Sequence, residues 1–272
     1  MTYLSFILFF ILVPLIINVA YLVYRHYLHV TAEKSKNLVK TTRYFTAIII
    51  LAIIALIYTT PWDNFLVANK IWYYDINKVL GIVIGYVPIE EYIFFVVQTL
   101  LVGVFTFTFS KTLYLNSKDE RERKDIRVLS TVFIFLIWLI AIITYTSQIS
   151  ALVYLNLILI WALPPIMLQL LFGADILWEK KVPLVFFLLI STAYLSIIDA
   201  LAISANIWTI SLNTSTGILI GGILPIEEMV FFLVTNVLII FGLTLIASQK
   251  SEIRFRSYLK IVKLNSRKIK GD

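Results

Sequence analysis

Cysteine is absent from the 272-residue chain, and histidine occurs only twice. The absence of cysteine excludes disulfides, thiol catalysis and thiolate metal sites. His26 and His29 lie together beside a basic segment. Because imidazole and thiolate are the usual ligands of transition metals, a chain with so little of either is not expected to hold one. We therefore predict no metal site.

Charge is also scarce, since Asp, Glu, Lys and Arg make up 14% of the residues and 60% are hydrophobic. A soluble domain is usually about a quarter charged, and the mean hydropathy of this chain is +0.93. The composition predicts an all-α, multi-pass protein of the cell membrane. The net charge of +7 is interpreted below as a topology signal, and we expect no nucleic-acid partner.

Seven apolar stretches have about the length that a membrane-spanning helix needs, roughly 20 residues. The first has no basic residue before it and no small-residue cleavage site after it, which favours a true span over a signal peptide. The predicted spans are residues 3–24, 44–61, 80–109, 128–147, 151–172, 183–203 and 217–247.

Basic residues are distributed unequally between the loops that join these spans. With seven spans, 21 of the 23 Lys and Arg residues fall on one face, and only Lys70 and Lys78 fall on the other. Cytoplasmic loops carry the excess of positive charge, so we predict an outer N-terminus and an inner C-terminus. The basic tail would also attract anionic membrane lipid.

An internal repeat relates the two ends of the chain. Residues 85–101 align without gaps with residues 222–238, and nine of the 17 positions are identical. Four crossings separate the starts of the two units, so we expect parallel repeats related by a twofold axis along the membrane normal. The predicted units are a first three-helix repeat (1–110), a basic loop and linking helix (111–148), a second three-helix repeat (149–248) and a basic cytoplasmic tail (249–272).

Two segments with the pattern Pro-Ile-Glu-Glu lie inside the apolar stretches. The 32 residues between Lys78 and Lys111 would form a straight helix ~48 Å long, against a hydrocarbon core of ~30 Å. Glycines precede each proline, so we predict a break in both segments and a helix that restarts at Pro88 and at Pro225. Matching breaks in two repeats indicate a central site.

The acids of these segments are the candidate catalytic groups. A helix N-terminus favours carboxylate, whereas low dielectric and an adjacent like charge favour the neutral acid. A neutral acid beside a carboxylate can donate one proton and accept another, and aromatic faces stabilise cations. The candidates are Glu90, Glu91, Glu227 and Glu228 as catalytic acids, Asp63 and Asp199 as supporting acids, and Phe94, Phe95, Phe231 and Phe232 as cation-stabilising residues.

A purely structural role competes with this interpretation, because an intramembrane glutamate can simply bond a neighbouring helix. Four glutamates in two matched pairs make that role less favoured. Asp63, at the end of the second predicted span, could equally be an exposed interfacial residue, whereas Asp199 lies within its span.

The duplicated motif in a chain of seven spans resembles the small integral-membrane lycopene cyclases, over about residues 3–247. The motif of that family appears here as Pro88-Ile89-Glu90-Glu91 and as Pro225-Ile226-Glu227-Glu228. The segment PWDN at 61–64 also looks familial. The second half departs from it with Ile-Ile-Asp-Ala at 197–200, so the two aspartates could differ in role.

The resemblance implies a carotenoid isomerase that cyclises the ends of lycopene. A terminal alkene is protonated, a neighbouring double bond attacks the cation, and loss of a ring proton gives the β-ring. No cofactor is implied, and no Gly-rich nucleotide-binding motif follows a strand. Lycopene and membrane lipid are the expected partners. We predict leading roles for Glu90 and Glu227, with Glu91 and Glu228 completing proton transfer.

Other functions remain open. A proton-coupled carrier can share the arrangement of three, one and three spans, but apolar residues surround the acids. A retinal pump would need a lysine in the last span, and residues 225–247 contain none. A related end-group cyclase, of the ε-ring or C50 type, would use the same acids. The sequence also leaves open whether one or both ends react, whether both repeats are active, and the oligomeric state.

Overall fold

The computed structural model describes the backbone of residues 1–28, 34–109 and 122–270, and the side chains of residues 1–24, 42–109 and 122–260. The first part of the predicted basic loop, residues 111–121, lies outside these ranges. The side chains of His26 and His29 and of the end of the basic tail also lie outside them.

Within the described residues, seven helices are long and apolar enough to cross a membrane, which confirms the predicted all-α, multi-pass class. The first consists of α1 (Tyr3–Ile7), a π-helical turn (Leu8–Leu12) and α2 (Val13–Leu28). The other six spanning helices are α3 (Lys34–Ala68), α4 (Ile89–Phe109), α5 (Lys124–Thr146), α6 (Val153–Glu179), α7 (Lys181–Ser204) and α8 (Ile226–Ala247). A 3₁₀ turn at Ser150–Leu152 precedes α6.

Two short hairpins precede α4 and α8, where the sequence predicted breaks. Val83–Ile84 (β2) pairs with Val87–Pro88 (β3), and Leu219–Ile220 (β5) pairs with Leu224–Pro225 (β6). Glycines in the left-handed region form these turns, with φ of 69° at Gly85 and 74° at Gly222. Each helix begins directly after the proline, so the glutamates occupy its first turn.

A third pairing joins the two halves of the chain. Trp72–Tyr74 (β1) and Trp208–Ile210 (β4) form an antiparallel pair in which Tyr73 stands opposite Thr209. One strand follows α3 and the other follows α7, so the ends of these two helices lie at the same end of the bundle. Between the halves, α4 packs directly against α8, and both carry a pair of glutamates.

Helix α3 extends beyond the predicted end of the second span. Pro61 lies inside the helix, which continues to Ala68. Asp63 is therefore a helical residue, and its side chain is completely buried. The alternative of an exposed interfacial position for Asp63 is wrong, because the predicted span was ended at a proline that the helix accommodates.

The far end of the bundle is closed by α9 (Gln249–Lys270). Arg254 forms a two-pronged ion pair with Asp175 of α6, with nitrogen–oxygen distances of 2.9 and 2.7 Å. Burial alone would lower the pKa of Arg254, but its hydrogen bonds and ion pair with Asp175 outweigh that effect and raise the pKa. The first turns of α9 are thereby fixed against the spans.

Candidate active site

Acids from both halves meet at a small buried cavity where α4 and α8 approach each other. Its volume is about 30 Å³, enough for one or two water molecules. The acids are Glu91, Asp199 and Glu228, and the remaining walls are mostly aromatic. The lining residues are Tyr3, Trp72, Tyr74, Glu91, Phe94, Asp199, Trp208, Ile210, Glu228, Phe231 and Phe232.

Glu91 is held by phenols. The Tyr3 hydroxyl donates to Oε2 of Glu91 across 2.5 Å, and Tyr74 interacts through its hydroxyl with the same carboxylate. Burial raises the pKa of Tyr74 well above its usual value, and the nearby Asp63 and Glu91 raise it further. Tyr74 therefore remains a neutral hydrogen-bond donor, and donors of this kind stabilise a carboxylate.

Glu228 has the corresponding arrangement with one difference. The Tyr154 hydroxyl donates to Oε1 of Glu228 across 2.6 Å, as Tyr3 does for Glu91. Ile210 pairs with Trp72 between the two strands. In the repeat, Ile210 of the second half occupies the position that Tyr74 occupies in the first half. An isoleucine has no hydroxyl to donate, so the two carboxyl groups are chemically unequal.

Glu90 and Glu227 face away from the cavity and bond to the backbone of the hairpin segments. Oε1 of Glu90 accepts a hydrogen bond from the Leu80 amide across 2.6 Å, and Oε1 of Glu227 accepts one from the Thr216 amide at the same distance. Both glutamates are completely buried. Their visible role is to hold each hairpin against the start of its helix.

The two aspartates lie beside this cluster and differ in their hydrogen bonds. Asp199 lines the cavity, and its Oδ1 accepts from the Trp208 indole across 3.1 Å. Asp63 is buried with neither carboxyl oxygen hydrogen-bonded within the described residues. The departure of residues 197–200 from the PWDN pattern therefore accompanies a real difference in surroundings.

Aromatic rings stack along one side of the site. Trp62 stacks on both Trp161 and Phe231, with centroid distances of 4.5 and 5.8 Å and interplanar angles of 17° and 7°. Phe231 and Phe232 contact each other at 5.3 Å. These faces present electron density close to the acids, which is the arrangement that stabilises a positive charge.

The structure brings many of the predicted site residues together. Phe94, Phe231 and Phe232 line the acid cavity, whereas Phe95 lies in a neighbouring apolar cavity. Sequence reasoning missed Tyr3 and Tyr154, because they are two of 15 tyrosines and lie outside the segments that align without gaps. Each lies near the start of the first span of its half, and aligning those starts would have exposed the pair.

Together, the fold and the site define a multi-pass membrane protein with a cluster of buried acids in an otherwise apolar interior. A lycopene beta-cyclase of Halobacterium salinarum is 37% identical over 198 residues, which cover 73% of this chain and 81% of that protein. The chain therefore belongs to the lycopene cyclase family.

Fungal proteins show the same similarity over part of their length. A bifunctional lycopene cyclase/phytoene synthase of Arthroderma gypseum is 30% identical over 226 residues, covering 78% of this chain and 38% of that protein. The corresponding protein of Podospora anserina is 32% identical over 219 residues, covering 78% of this chain and 35% of that protein. No family model and no solved structure matches the chain.

Proposed function

We propose that the acid cavity cyclises the ends of lycopene by transferring one proton to the substrate and removing another. The protein is a lycopene cyclase, an enzyme of the isomerase type. Proton transfer to a terminal alkene creates a carbocation, the neighbouring double bond closes the ring, and a ring proton leaves. Atoms and electrons balance without a redox partner. The carrying observation is that carboxyl groups of both halves line one buried, largely aromatic cavity.

The inequality of the two carboxyl groups supports a division of roles. Glu91 receives hydrogen bonds from two phenols, Tyr3 and Tyr74. Because such donors favour the carboxylate form, we assign Glu91 as the base that removes the ring proton. Within the described residues, Glu228 accepts a hydrogen bond from one phenol, Tyr154, so we assign it as the acid that protonates the alkene. Asp199 lines the same cavity and would return the proton from Glu91 to Glu228 after each turnover.

Cation stabilisation is assigned to the rings beside the acids. Phe231 and Phe232 line the cavity with Glu228, and Trp62 stacks on Phe231. A ring face contributes about 0.5 to 2 kcal/mol to binding a cation, with the higher value in a desolvated site. Tight walls would also exclude water, which could otherwise trap the carbocation before the ring closes.

The leading role predicted for Glu90 and Glu227 is less favoured by this geometry. Each already accepts a backbone hydrogen bond from the segment that leads into a hairpin, and neither lines the cavity. We propose that they position Glu91 and Glu228 by fixing the start of each helix. Pro88 and Pro225 contribute by ending the hairpins at that point.

We also propose the arrangement of two parallel three-helix repeats joined by α5, with an outer N-terminus and an inner C-terminus. Paired contacts support it: the Tyr58 hydroxyl donates to the Trp161 carbonyl across 2.8 Å, and the Tyr194 hydroxyl donates to the Phe10 carbonyl across 2.5 Å. The domain boundaries are those predicted from the sequence. We place the protein in the cell membrane, with its basic tail in contact with anionic lipid.

The cysteine-free sequence makes this topology directly testable. Single substitutions Asn77→Cys and Ser257→Cys place unique thiols in the exposed segment after β1 and on α9. In intact cells, an impermeant maleimide should label the first, and should label the second only after the membrane is permeabilised. Labelling in the opposite order would contradict the orientation.

Expression in a lycopene-accumulating bacterial host tests the function. The unchanged protein should convert lycopene into ring-bearing carotenoids, resolved by chromatography, and the ring type distinguishes a β-cyclase from the ε-ring and C50 alternatives. Glu91→Gln and Glu228→Gln should each reduce conversion by roughly 100-fold or more, as expected for loss of general acid or base catalysis. Unchanged lycopene with well-expressed wild-type protein would contradict the function, and solute-dependent proton flux would then favour the carrier.

A further inference from the structure

A second, larger cavity lies next to the acid cavity, on the side away from the hairpins. Its volume is about 280 Å³, close to the lower end of the range for ligand pockets, about 300 to 1,000 Å³. Four helices, α3, α4, α6 and α8, form its walls. The lining residues are Leu51, Ile54, Ala55, Tyr58, Thr59, Phe95, Gln98, Thr99, Trp161, Pro165, Gln169, Phe231, Thr235, Leu238 and Ile239.

The two cavities adjoin at one residue. Phe231 lines both of them. From Phe231 the larger cavity extends along α8 past Thr235 to Ile239, eight residues further on, which corresponds to about 12 Å of helix. A rod-shaped ligand lying there would have one end at the acids and its length directed away from them.

The larger cavity also reaches the outer surface of the helix bundle. Ile54 and Tyr58 of α3 line it and are 52% and 40% exposed. Because the Tyr58 hydroxyl donates to the Trp161 carbonyl of α6, we place the opening between α3 and α6. Tyr58 stacks on Trp161, which stacks on Trp62 and then on Phe231. A continuous series of ring faces therefore leads from the opening to the acid cavity.

Several polar groups of this wall are engaged in the protein. The Thr99 and Thr235 hydroxyls donate to carbonyls of their own helices, and the Gln169 amide nitrogen donates to the Leu238 carbonyl. The Trp161 indole nitrogen and Oε1 of Gln169 have no hydrogen-bond partner within the described residues, but the remaining walls are aliphatic and aromatic. An elongated, unsaturated hydrocarbon fits this largely apolar lining.

We propose that this cavity is the binding site for the polyene arm of the substrate, which enters from the lipid between α3 and α6. The proposal rests on the function assigned above and adds where the unreacted part of the molecule lies. The small acid cavity cannot take an end group until Phe231 moves, so Phe231 separates the resting arm from the acids.

The corresponding region of the other half has bulkier side chains. Continued without gaps, the repeat places Phe105 over Gly242, and the register that places Asp63 over Asp199 places Leu51 over Phe187. Phe105 and Phe187 contact each other edge to face at 5.7 Å, whereas Leu51 lines the larger cavity. We therefore place the arm on the side of Leu51.

Thiol protection tests the site without relying on catalysis. Single variants Ala55→Cys and Thr99→Cys place a unique thiol on two walls of the cavity, and Ile57→Cys places one on the outer face of α3, where Ile57 is 68% exposed. In lipid nanodiscs, added lycopene should slow maleimide labelling at positions 55 and 99 several-fold and leave position 57 unchanged. A cyclised product keeps the polyene and protects equally.

Filling the cavity gives the second measurement. Ala55→Phe should lower kcat/KM for lycopene by about tenfold or more, mainly through KM, because a ring would occupy the space of the arm. The matched control Ile57→Phe should match the wild type. If Ala55→Phe does not fold, Thr99→Leu fills the same space from α4, and it leaves no buried polar group unpaired because the lost hydroxyl donated only within its own helix.

The outcomes separate this proposal from the assigned function. Equal labelling rates with and without lycopene at positions 55 and 99, in a protein that converts lycopene, would overturn the polyene site. Wild-type kinetics in a folded Ala55→Phe variant would also overturn it. Failure of the wild-type protein to convert lycopene would contradict the function instead, and the labelling rates would still report whether the cavity binds the hydrocarbon.

Discussion

The hydroxyl of Tyr3 donates a hydrogen bond to Glu91 across 2.5 Å, although 88 residues separate them in the chain. The same relationship joins Tyr154 to Glu228 over 74 residues. In each half, the first span therefore supplies a phenol to the glutamate of the third. The phenol fixes the carboxyl group in its rotamer and directs it into the cavity, which a lone glutamate in an apolar wall would not ensure.

Removal of these phenols should impair catalysis more than folding. Tyr3→Phe and Tyr154→Phe each delete a hydrogen bond to an acid group, which contributes about 1.5 to 3 kcal/mol when the acid is charged. We expect turnover to fall by roughly 10-fold to 100-fold for each variant, measured as pigment formation by protein in nanodiscs.

The matched control for this experiment is Tyr73→Phe. Tyr73 lies between two residues of the same strand that line the cavity, but it is 51% exposed and does not line the cavity itself. Its substitution should leave turnover unchanged. A loss at Tyr73 equal to that at Tyr3 would show that the effect comes from the strand pair rather than from the acid.

The glutamates that hold the hairpins should respond to substitution according to their acceptor oxygen. Glu90→Gln keeps an oxygen for the Leu80 amide and should retain activity within a few-fold. Glu90→Leu removes the acceptor and leaves a buried amide unpaired, which costs about 1 to 3 kcal/mol. Thermal unfolding in detergent measures this difference.

The same comparison of Gln and Leu variants can be made in the second half, where Glu227 accepts a hydrogen bond from the Thr216 amide. The Gln and Leu variants of Glu227 should rank in the same order as those of Glu90. If Glu90→Gln and Glu227→Gln both abolished cyclisation while remaining folded, the catalytic role predicted from the sequence would be favoured over the positioning role proposed from the geometry.

The turn before Glu90 depends on a close approach that only glycine permits. Gly85 has a φ of +69°, and a Cβ atom there would lie 2.1 Å from Oδ1 of Asn64. That oxygen accepts the Tyr86 amide across 2.7 Å. Gly85→Ala should therefore displace Asn64, lower the unfolding midpoint and reduce turnover.

Gly81 provides the comparison for this variant. It also has a positive φ, of +78°, but nothing lies within 4 Å of its added Cβ atom. Gly81→Ala thus carries the backbone strain without the collision, and it should destabilise the protein less than Gly85→Ala. Equal losses for the two variants would assign the whole effect to backbone conformation.

The sequence predicted the membrane class, the seven spans and the two helix restarts, because these depend on local hydropathy and on glycine and proline. It could not predict which glutamate of a pair faces the cavity. Adjacent residues on a helix differ by about 100° in direction. The choice depends on the segment that leads into the hairpin, where the Leu80 amide donates to Glu90.

Burial of Asp63 shows a second limit of sequence reasoning. The predicted span ends at Pro61, just before Asp63, whereas the helix continues to Ala68. A membrane bundle tolerates proline inside a helix where neighbouring helices supply contacts, and the adjacent Trp62 indole donates to the Leu157 carbonyl of α6. Such contacts arise between helices and leave little local signal.

The ion pair between Arg254 and Asp175 should anchor α9 to the spans. Both side chains are almost completely buried, at 3% and 1% exposure, so removal of one partner leaves an uncompensated charge, which typically costs about 3 to 5 kcal/mol. Arg254→Met should lower the unfolding midpoint in detergent and expose α9 to protease.

The double variant Arg254→Met/Asp175→Leu should recover much of that loss, because replacing both partners with apolar groups avoids the stranded charge. A double variant less stable than either single one would contradict a stranded charge as the cause of the loss. Pigment formation should change little throughout, since the pair lies at the end of the bundle away from the acid cavity.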